Sequence, residues 1–252
     1  MLIHGLSCDE TDWDAITAIL RERKKAYLTV DLRGHGKSAN LPGPYTIETM
    51  AADVAQLIRE QNLQNLILVG HSMGTRVALA VRDSCRDAIS QIIFVDGSCQ
   101  ATGDPELARQ AVYDLFSNDA VYRNFLGRMF HDMFFDQNTH DARDTTIERA
   151  LAMNKKVLTD VLGDMRAWDA ASMISSLQRL NAATGTRFKI IQSTRVDGSM
   201  ERRMLKASDE YDYLTLLRQY VGRAIFDIVE DTGHFIQFEK PQAIADLIDR
   251  RR

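Results

Sequence analysis

The chain has 252 residues, of which 45% are apolar and 26% charged, and carries a formal net charge of −4. That length suits one substantial hydrophobic core with room for an insertion, and the composition excludes a disordered chain. Charges of both signs are interspersed, which excludes the broad basic field that gathers nucleic acid or an anionic membrane and leaves a small molecule as the expected partner.

Taken in chain order, the apolar start at residues 1–3 runs into His4-Gly5-Leu6 and then into helical spacing over residues 11–23, a place suited to presenting the Leu6 backbone amide. Residues 26–32 read as a strand, 47–61 as a helix, 65–70 as a strand, 72–82 as a helix and 91–95 as a strand. From 100 to 186 no strand-like run occurs; the segment reads as several helices, opened by Asp104-Pro105-Glu106. Inside it Phe125, Met129 and Met133 recur at i, i+4, i+8 with Leu126, Phe130 and Phe134 beside them, a stripe that either packs against the core or walls a substrate pocket. Strands at 188–192 and 224–229 and helices at 211–220 and 241–251 follow, the last with Pro241 in its first turn. Short aliphatic strands alternating with amphipathic helices predict an α/β fold, a mostly parallel sheet built from βαβ units. Its core is expected in two parts, 1–99 and 187–252, separated by a helical cap at 100–186.

Three widely spaced cysteines, Cys8, Cys85 and Cys99, form neither a disulfide framework nor a metal-ligand pattern, and no apolar run approaches the roughly 20 residues that cross a bilayer. A cytoplasmic protein with no metal and no membrane partner is expected. Oligomeric state is not legible.

The chemistry concentrates at Leu66-Ile67-Leu68-Val69-Gly70-His71-Ser72-Met73-Gly74, an apolar run ending in G-x-S-x-G and followed by helix-compatible residues. A sharp strand-to-helix turn there lifts a serine hydroxyl clear of a sheet, with small Gly70 and Gly74 letting strand and helix approach. The Met73 amide, at the start of the helix, then points toward developing negative charge. A serine needs a base, and of the six histidines His234, in Asp231-Thr232-Gly233-His234-Phe235, sits after the last strand and before the final helix, where a loop carries it to the same sheet edge. His71 is expected to support the turn, and Phe235 joins Phe125, Met129 and Met133 as a substrate-pocket candidate.

Four motifs in order, His4-Gly5, Asp31-Leu32-Arg33-Gly34-His35-Gly36-Lys37-Ser38, Gly70-His71-Ser72-Met73-Gly74 and Gly233-His234-Phe235 with Glu239 and Pro241, resemble the α/β-hydrolase superfamily. The resemblance spans nearly the whole chain. It implies an eight-stranded, mostly parallel sheet, a helical cap, a triad in the order Ser, acid, His, an oxyanion hole from the Leu6 and Met73 amides, and no metal or organic cofactor. It also implies a leading β-hairpin before the His-Gly strand; that strand starts here at Met1, so either the hairpin has been lost or the chain is truncated. The acid departs from the usual pattern: Asp197 follows the strand after the cap without the customary glycine, while Asp96 ends the strand next after Ser72, and its cleaner strand context favours it.

A serine esterase, lactonase or thioesterase acting on a small, largely apolar substrate through an acyl-enzyme on Ser72 is the leading expectation. A cofactor-free dioxygenase or carbon–carbon bond hydrolase is the alternative on the same fold, and a non-catalytic ligand receptor the alternative of another class. Dehalogenase and epoxide-hydrolase chemistry is disfavoured, because the resemblance would then require aspartate at position 72.

Overall fold

The computed structural model describes residues 1–99, 103–182, 185–196 and 201–250. In chain order these form β1 (Leu2–Ile3), α1 (Asp14–Glu22), β2 (Thr29–Val30), α2 (Ile47–Glu60), β3 (Leu66–His71), α3 (Gly74–Ser84) and β4 (Ile89–Val95). Four helices follow, α4 (Pro105–Leu115), α5 (Asp119–His131), α6 (His140–Ala152) and α7 (Lys155–Ala182). The chain then returns through β5 (Arg187–Gln192), β6 (Thr194–Val196), β7 (Arg202–Met204), α8 (Asp212–Tyr220), β8 (Ile225–Ile228), α9 (Ile236–Glu239) and α10 (Pro241–Asp249).

Six strands make one sheet in the order β2-β1-β3-β4-β5-β8, each adjacent pair parallel. Because side chains alternate across a strand, the aliphatic runs feed both faces at once. Val69, Ile93 and Ile191 point to one face with Trp13, Ile16 and Ile244 of the α1 and α10 side. Leu68, Ile92 and Ile190 point to the other with Met50, Val54, Val77 and Leu214 of α2, α3 and α8. Lys189, buried in β5 among these, sends its ammonium to the carbonyls of Leu247 (2.7 Å) and Arg250 (3.3 Å), where it meets the negative end of α10.

The central sheet has six strands among the described residues rather than the eight that the family resemblance implies. After β5 the chain makes a separate antiparallel ribbon of β6 and β7, with Val196 opposite Arg202. Arg195, Arg202 and Arg203 in that ribbon are unsuited to a strand buried on both faces. Two boundaries also differ. The helix expected from 72 begins at Gly74, since Ser72 stands at φ 52° and cannot start an α-helix. The strand expected over 26–32 shrinks to Thr29–Val30, whose partner β1 is itself two residues long.

In a parallel sheet all carboxyl ends share one edge, and four of the strands release their chains there toward Leu6 (β1), Ser72 (β3), Asp96 (β4) and His234 (β8). The helical insertion α4–α7 connects β4 to β5 on that edge, and its long α7 packs against α2, α3, α4 and α8.

Candidate active site

Ser72 sits on a turn that the two glycines make possible. A methyl group at Gly70 would lie 2.2 Å from the Gly74 carbonyl oxygen, and one at Gly74 would lie 2.4 Å from the Ile3 oxygen. Only hydrogen fits at either place, so the β3–α3 turn is pressed onto β1. The compressed turn puts Ser72 in the left-handed region at φ 52°, where a non-glycine residue is strained. Ser7 (57°), Asp96 (43°) and Asp231 (52°), each beyond a strand end, share that conformation, as do Lys24, Asn62 and Asn65 away from this edge. The turn is held by Thr75, whose amide and hydroxyl donate to the Ser72 carbonyl at 3.1 and 2.7 Å. Arg76 adds Nη1 to the same oxygen at 3.4 Å and Nη2 to the Ser98 carbonyl at 2.5 Å.

The partner of Arg76 comes from the helical insertion. Asp169 of α7 takes Nε and Nη2 at 2.7 Å each, a bidentate pair with both side chains buried. The fork of the guanidinium thus ties the elbow to the insertion above it.

His234 donates from Nδ1 to Asp96 Oδ2 at 2.6 Å. Asp96 is fully buried and saturated: its Oδ1 accepts the Ser193 amide (2.8 Å), the Ser193 hydroxyl (2.9 Å) and the Thr194 amide (2.8 Å), and Oδ2 also accepts the Thr194 hydroxyl (2.5 Å) and Arg202 Nη1 (3.2 Å). Burial alone pushes this carboxyl up, but the His234 bond, Arg202 and Thr194 outweigh it and hold Asp96 at about 2. The imidazole goes the other way from its ordinary value, pulled down to about 4 by burial first and by the Arg202 charge second, against the raising effect of Asp96. The pair therefore rests as carboxylate and neutral imidazole, with Nδ1 occupied and Nε2 left as the nitrogen able to accept a proton.

The loop carrying His234 is clamped from two sides. One carboxylate, Glu239, accepts the Gly233 amide (2.6 Å), the Thr232 hydroxyl (2.8 Å) and, through its other oxygen, the Phe135 amide of the insertion (2.9 Å). The His234 amide donates to the Met133 carbonyl at 2.8 Å. His71 meets the His234 carbonyl at 3.0 Å through its own ring nitrogen, so it supports the turn as the sequence suggests.

Ser72 and His234 line one cavity of about 80 Å3, together with Gly5, Leu6, Cys8, Ser98, Phe130, Phe235 and residues of the insertion. Phe125, Met129 and Met133 are among the latter, while Leu126 is wholly buried, so the stripe on α5 faces both the core and the cavity. A methyl at Gly5 would lie 3.2 Å from Ser72 Cβ, so the Gly5-Leu6 backbone lies close against the serine. Met73 is buried at the start of α3. Cys8 is a second nucleophile on the wall, but burial first, and then the neighbouring Asp12 charge, push its thiol far up and keep it protonated. Asp197, the other candidate acid, lies outside the described residues.

The family model described as "Alpha/beta hydrolase family" matches residues 1–247. The chain belongs to the α/β hydrolase family. Among curated relatives, this α/β hydrolase is 32% identical over 103 residues to the sn-1-specific diacylglycerol lipase ABHD11 of Danio rerio, a match covering 40% of this chain and 32% of that one. It is 36% identical over 100 residues to a putative esterase/lipase of Haemophilus influenzae, covering 39% and 33%. The matched stretch spans about a third of the length of these relatives. An esterase from Exiguobacterium antarcticum superposes with a TM-score of 0.77 at 16% identity over 98% of this α/β hydrolase and 88% of that chain, a likeness of fold.

Sequence reasoning missed three parts of this α/β hydrolase site. Arg202 sits in a charged run, Glu201-Arg202-Arg203, and only the ribbon pairing carries it under Asp96. Arg76 was findable as the one charge in the apolar helical stretch Thr75–Val81, where a charge demands a partner, whereas Asp169 follows Arg166 at i+3 on its own helix and carries no such signal.

Proposed function

We propose that this protein is a serine hydrolase that cleaves a carboxylic ester, lactone or thioester of a small substrate through an acyl-enzyme on Ser72. The observation that carries the reading is the 2.6 Å bond from His234 Nδ1 to a saturated, buried Asp96, on the wall of the cavity that Ser72 also lines. In this reading His234 Nε2 takes the Ser72 proton as the oxygen attacks the carbonyl carbon, and the Leu6 and Met73 amides hold the resulting oxyanion. Asp96 fixes the tautomer and stabilises the imidazolium. The proton then passes to the leaving alcohol, and water, deprotonated by the same nitrogen, releases the acid. The esterase and lipase names among the relatives support this chemistry, and the apolar wall from Phe125, Met129, Met133 and Phe235 suits an acyl chain. The 80 Å3 cavity offers room on the order of half a dozen water-sized groups, which suits a short one.

The test is a fluorophosphonate probe followed by peptide mapping. Stoichiometric labelling at Ser72, absent from Ser72→Ala together with hydrolysis of 4-nitrophenyl acetate, is the expected result. A folded protein that neither labels nor hydrolyses esters would hand the site to the receptor reading. An acid after the second of the two central strands also keeps cofactor-free dioxygenation open as the second reading, and uptake in an oxygen electrode without label at Ser72 would favour it.

A further inference from the structure

The Leu6 amide, the proposed oxyanion donor, sits in a turn that does not hold itself. The Cys8 amide donates to the Gly5 carbonyl at 3.3 Å, closing a four-residue turn around Leu6 and Ser7, and Ser7 stands at φ 57°, in the left-handed region. A serine persists there only where its surroundings over-determine the backbone. The Gly5 carbonyl also accepts His4 Nδ1 at 2.8 Å, since His4 Nε2 is taken by the Leu32 amide at 3.0 Å. Carbonyl and amide are the two ends of one planar trans peptide, so donors on the Gly5 oxygen send the Leu6 N–H the opposite way. That amide has no protein acceptor among the described residues, and Leu6 lines the cavity with Ser72.

The far side of the turn is gripped from the insertion. Arg149, near the end of α6, spans two carboxylates: Nη1 meets Asp9 Oδ2 at 2.7 Å and Nη2 meets Asp12 Oδ1 at 2.5 Å. Asp9 follows the turn directly, and its other oxygen caps the short 3-10 helix Glu10–Trp13 by accepting the Thr11 amide at 2.9 Å. Met153, just past α6, takes the Ser7 hydroxyl on its sulfur at 3.5 Å. Helix α6 itself packs mainly on α5, and it reaches the turn through these two side chains. Resting on the serine-hydrolase reading, we propose that Arg149 is a positioning residue, whose two-carboxylate clamp holds the Gly5–Cys8 turn so that the Leu6 amide meets the oxyanion. An ion triad of this kind is a weak source of stability, since apolar replacements are often neutral, whereas the planar fork fixes where both carboxylates stand. Arg149 is not among the residues that line the cavity, so its influence on the reacting atoms passes through the turn.

The experiment measures steady-state hydrolysis of 4-nitrophenyl acetate by Arg149→Met, which keeps much of the side chain's reach and loses the fork. Loss of a whole oxyanion donor costs on the order of 10^2- to 10^3-fold in kcat, and a misaimed one keeps part of its value. We expect kcat and kcat/KM to fall together by at least tenfold with KM within about threefold, the pattern of an interaction made only in the transition state. Two inhibitors separate aiming from general damage. The inhibition constant of trifluoroacetone, which adds Ser72 as a tetrahedral oxyanion, should rise by the factor that kcat/KM loses, while that of acetamide, a planar mimic of the ground state, moves less than about threefold. Arg149→Lys, with a cation for one carboxylate at a time, should recover part of the loss. Asp9→Asn turns an NH2 toward Arg149 while its oxygen still caps Thr11, so it opens half the clamp with Asp12 still paired. A smaller loss of the same pattern is expected there, and that variant decides the matter if the Asp12 carboxylate stranded in Arg149→Met prevents folding. Rates within threefold of the parent in the folded variants, a loss carried by KM, or equal weakening of both inhibitors overturns the proposal. Any of those results beside fluorophosphonate labelling of Ser72 in the parent faults this inference alone, whereas a parent that neither labels nor hydrolyses esters removes the reading beneath it.

Discussion

Asp96 shows how little freedom one side chain has at this edge. Its Oδ1 accepts two backbone amides, from Ser193 and Thr194, and those cannot be satisfied by an amide NH2. In Asp96→Asn the oxygen must therefore stay at Oδ1 and the nitrogen must face His234. The imidazole can answer only by moving its proton to Nε2, which is then unable to accept one from Ser72. We expect kcat to fall on the order of 10^4-fold at unchanged fold, the size seen when a triad acid loses the correct tautomer; steady-state kinetics on 4-nitrophenyl acetate check it, and activity within tenfold of the parent would return the acid role to Asp197. The pH profile gives a second reading of the same residues. As the proposed base, His234 acts only when neutral, and burial and Arg202 hold it near 4, so kcat/KM should stay level down to about that pH and fall below it. Charged or titratable groups around the ring are Asp96, Arg202 and His71, and His71 is itself kept neutral by burial. Removing the cation in Arg202→Gln lets Asp96 favour the imidazolium more strongly, so the acid limb must move to higher pH. A limb that stays in place, or moves down, contradicts the electrostatic role given to Arg202.

At the scale of elements, the strand–elbow–helix unit was legible because its causes are local. An aliphatic strand, two glycines and a helix start are contiguous in the sequence, and the histidine loop carries its own signal in Thr232-Gly233-His234 and Glu239. What joins the insertion to the core was not legible, because it depends on pairs 93 and 104 residues apart, Arg76 with Asp169 and Phe135 with Glu239. The ribbon that brings Arg202 to Asp96, 106 residues away, is of the same kind. The Arg76–Asp169 tie makes a thermodynamic prediction. Taking out one member of a buried pair strands the other, at a cost of about 3–5 kcal/mol, whereas replacing both by apolar groups is often neutral. Asp169→Leu should therefore lower the unfolding midpoint strongly, and Arg76→Met with Asp169→Leu should regain most of the loss in denaturant titrations. Recovered stability with activity still depressed would locate the value of the pair in aligning Ser72 under α7, since Arg76 also touches the Ser72 and Ser98 carbonyls.

Across the whole molecule, the sheet supplies a fixed edge and the insertion supplies the lid of a small room. Strand ends and the loop after β8 bring Leu6, Ser72, Asp96 and His234 to one edge, braced by the insertion through Asp169, Met133 and Phe135, while the apolar lining comes largely from α5 and α7 through Phe125, Met129, Leu162 and Met165. On the proposed reading, chemistry belongs to the sheet edge and selectivity to the insertion, and the two should separate in experiment. Phe125 is partly buried and stacks edge-on against Phe116 at 5.3 Å between ring centres, so its ring closes one wall without being a deep core residue. With about 80 Å3 available, 4-nitrophenyl acetate and butyrate should be cleaved well and the dodecanoate poorly. In Phe125→Ala the longest acyl chain accepted should lengthen by several carbons, with the butyrate rate within about tenfold of the parent, because a lost phenyl group opens a wall while the triad on the opposite side stays bound by its own hydrogen bonds. A uniform loss across all chain lengths would mean instead that α5 helps to hold the histidine loop, whose amide it already meets through the Met133 carbonyl just beyond its end.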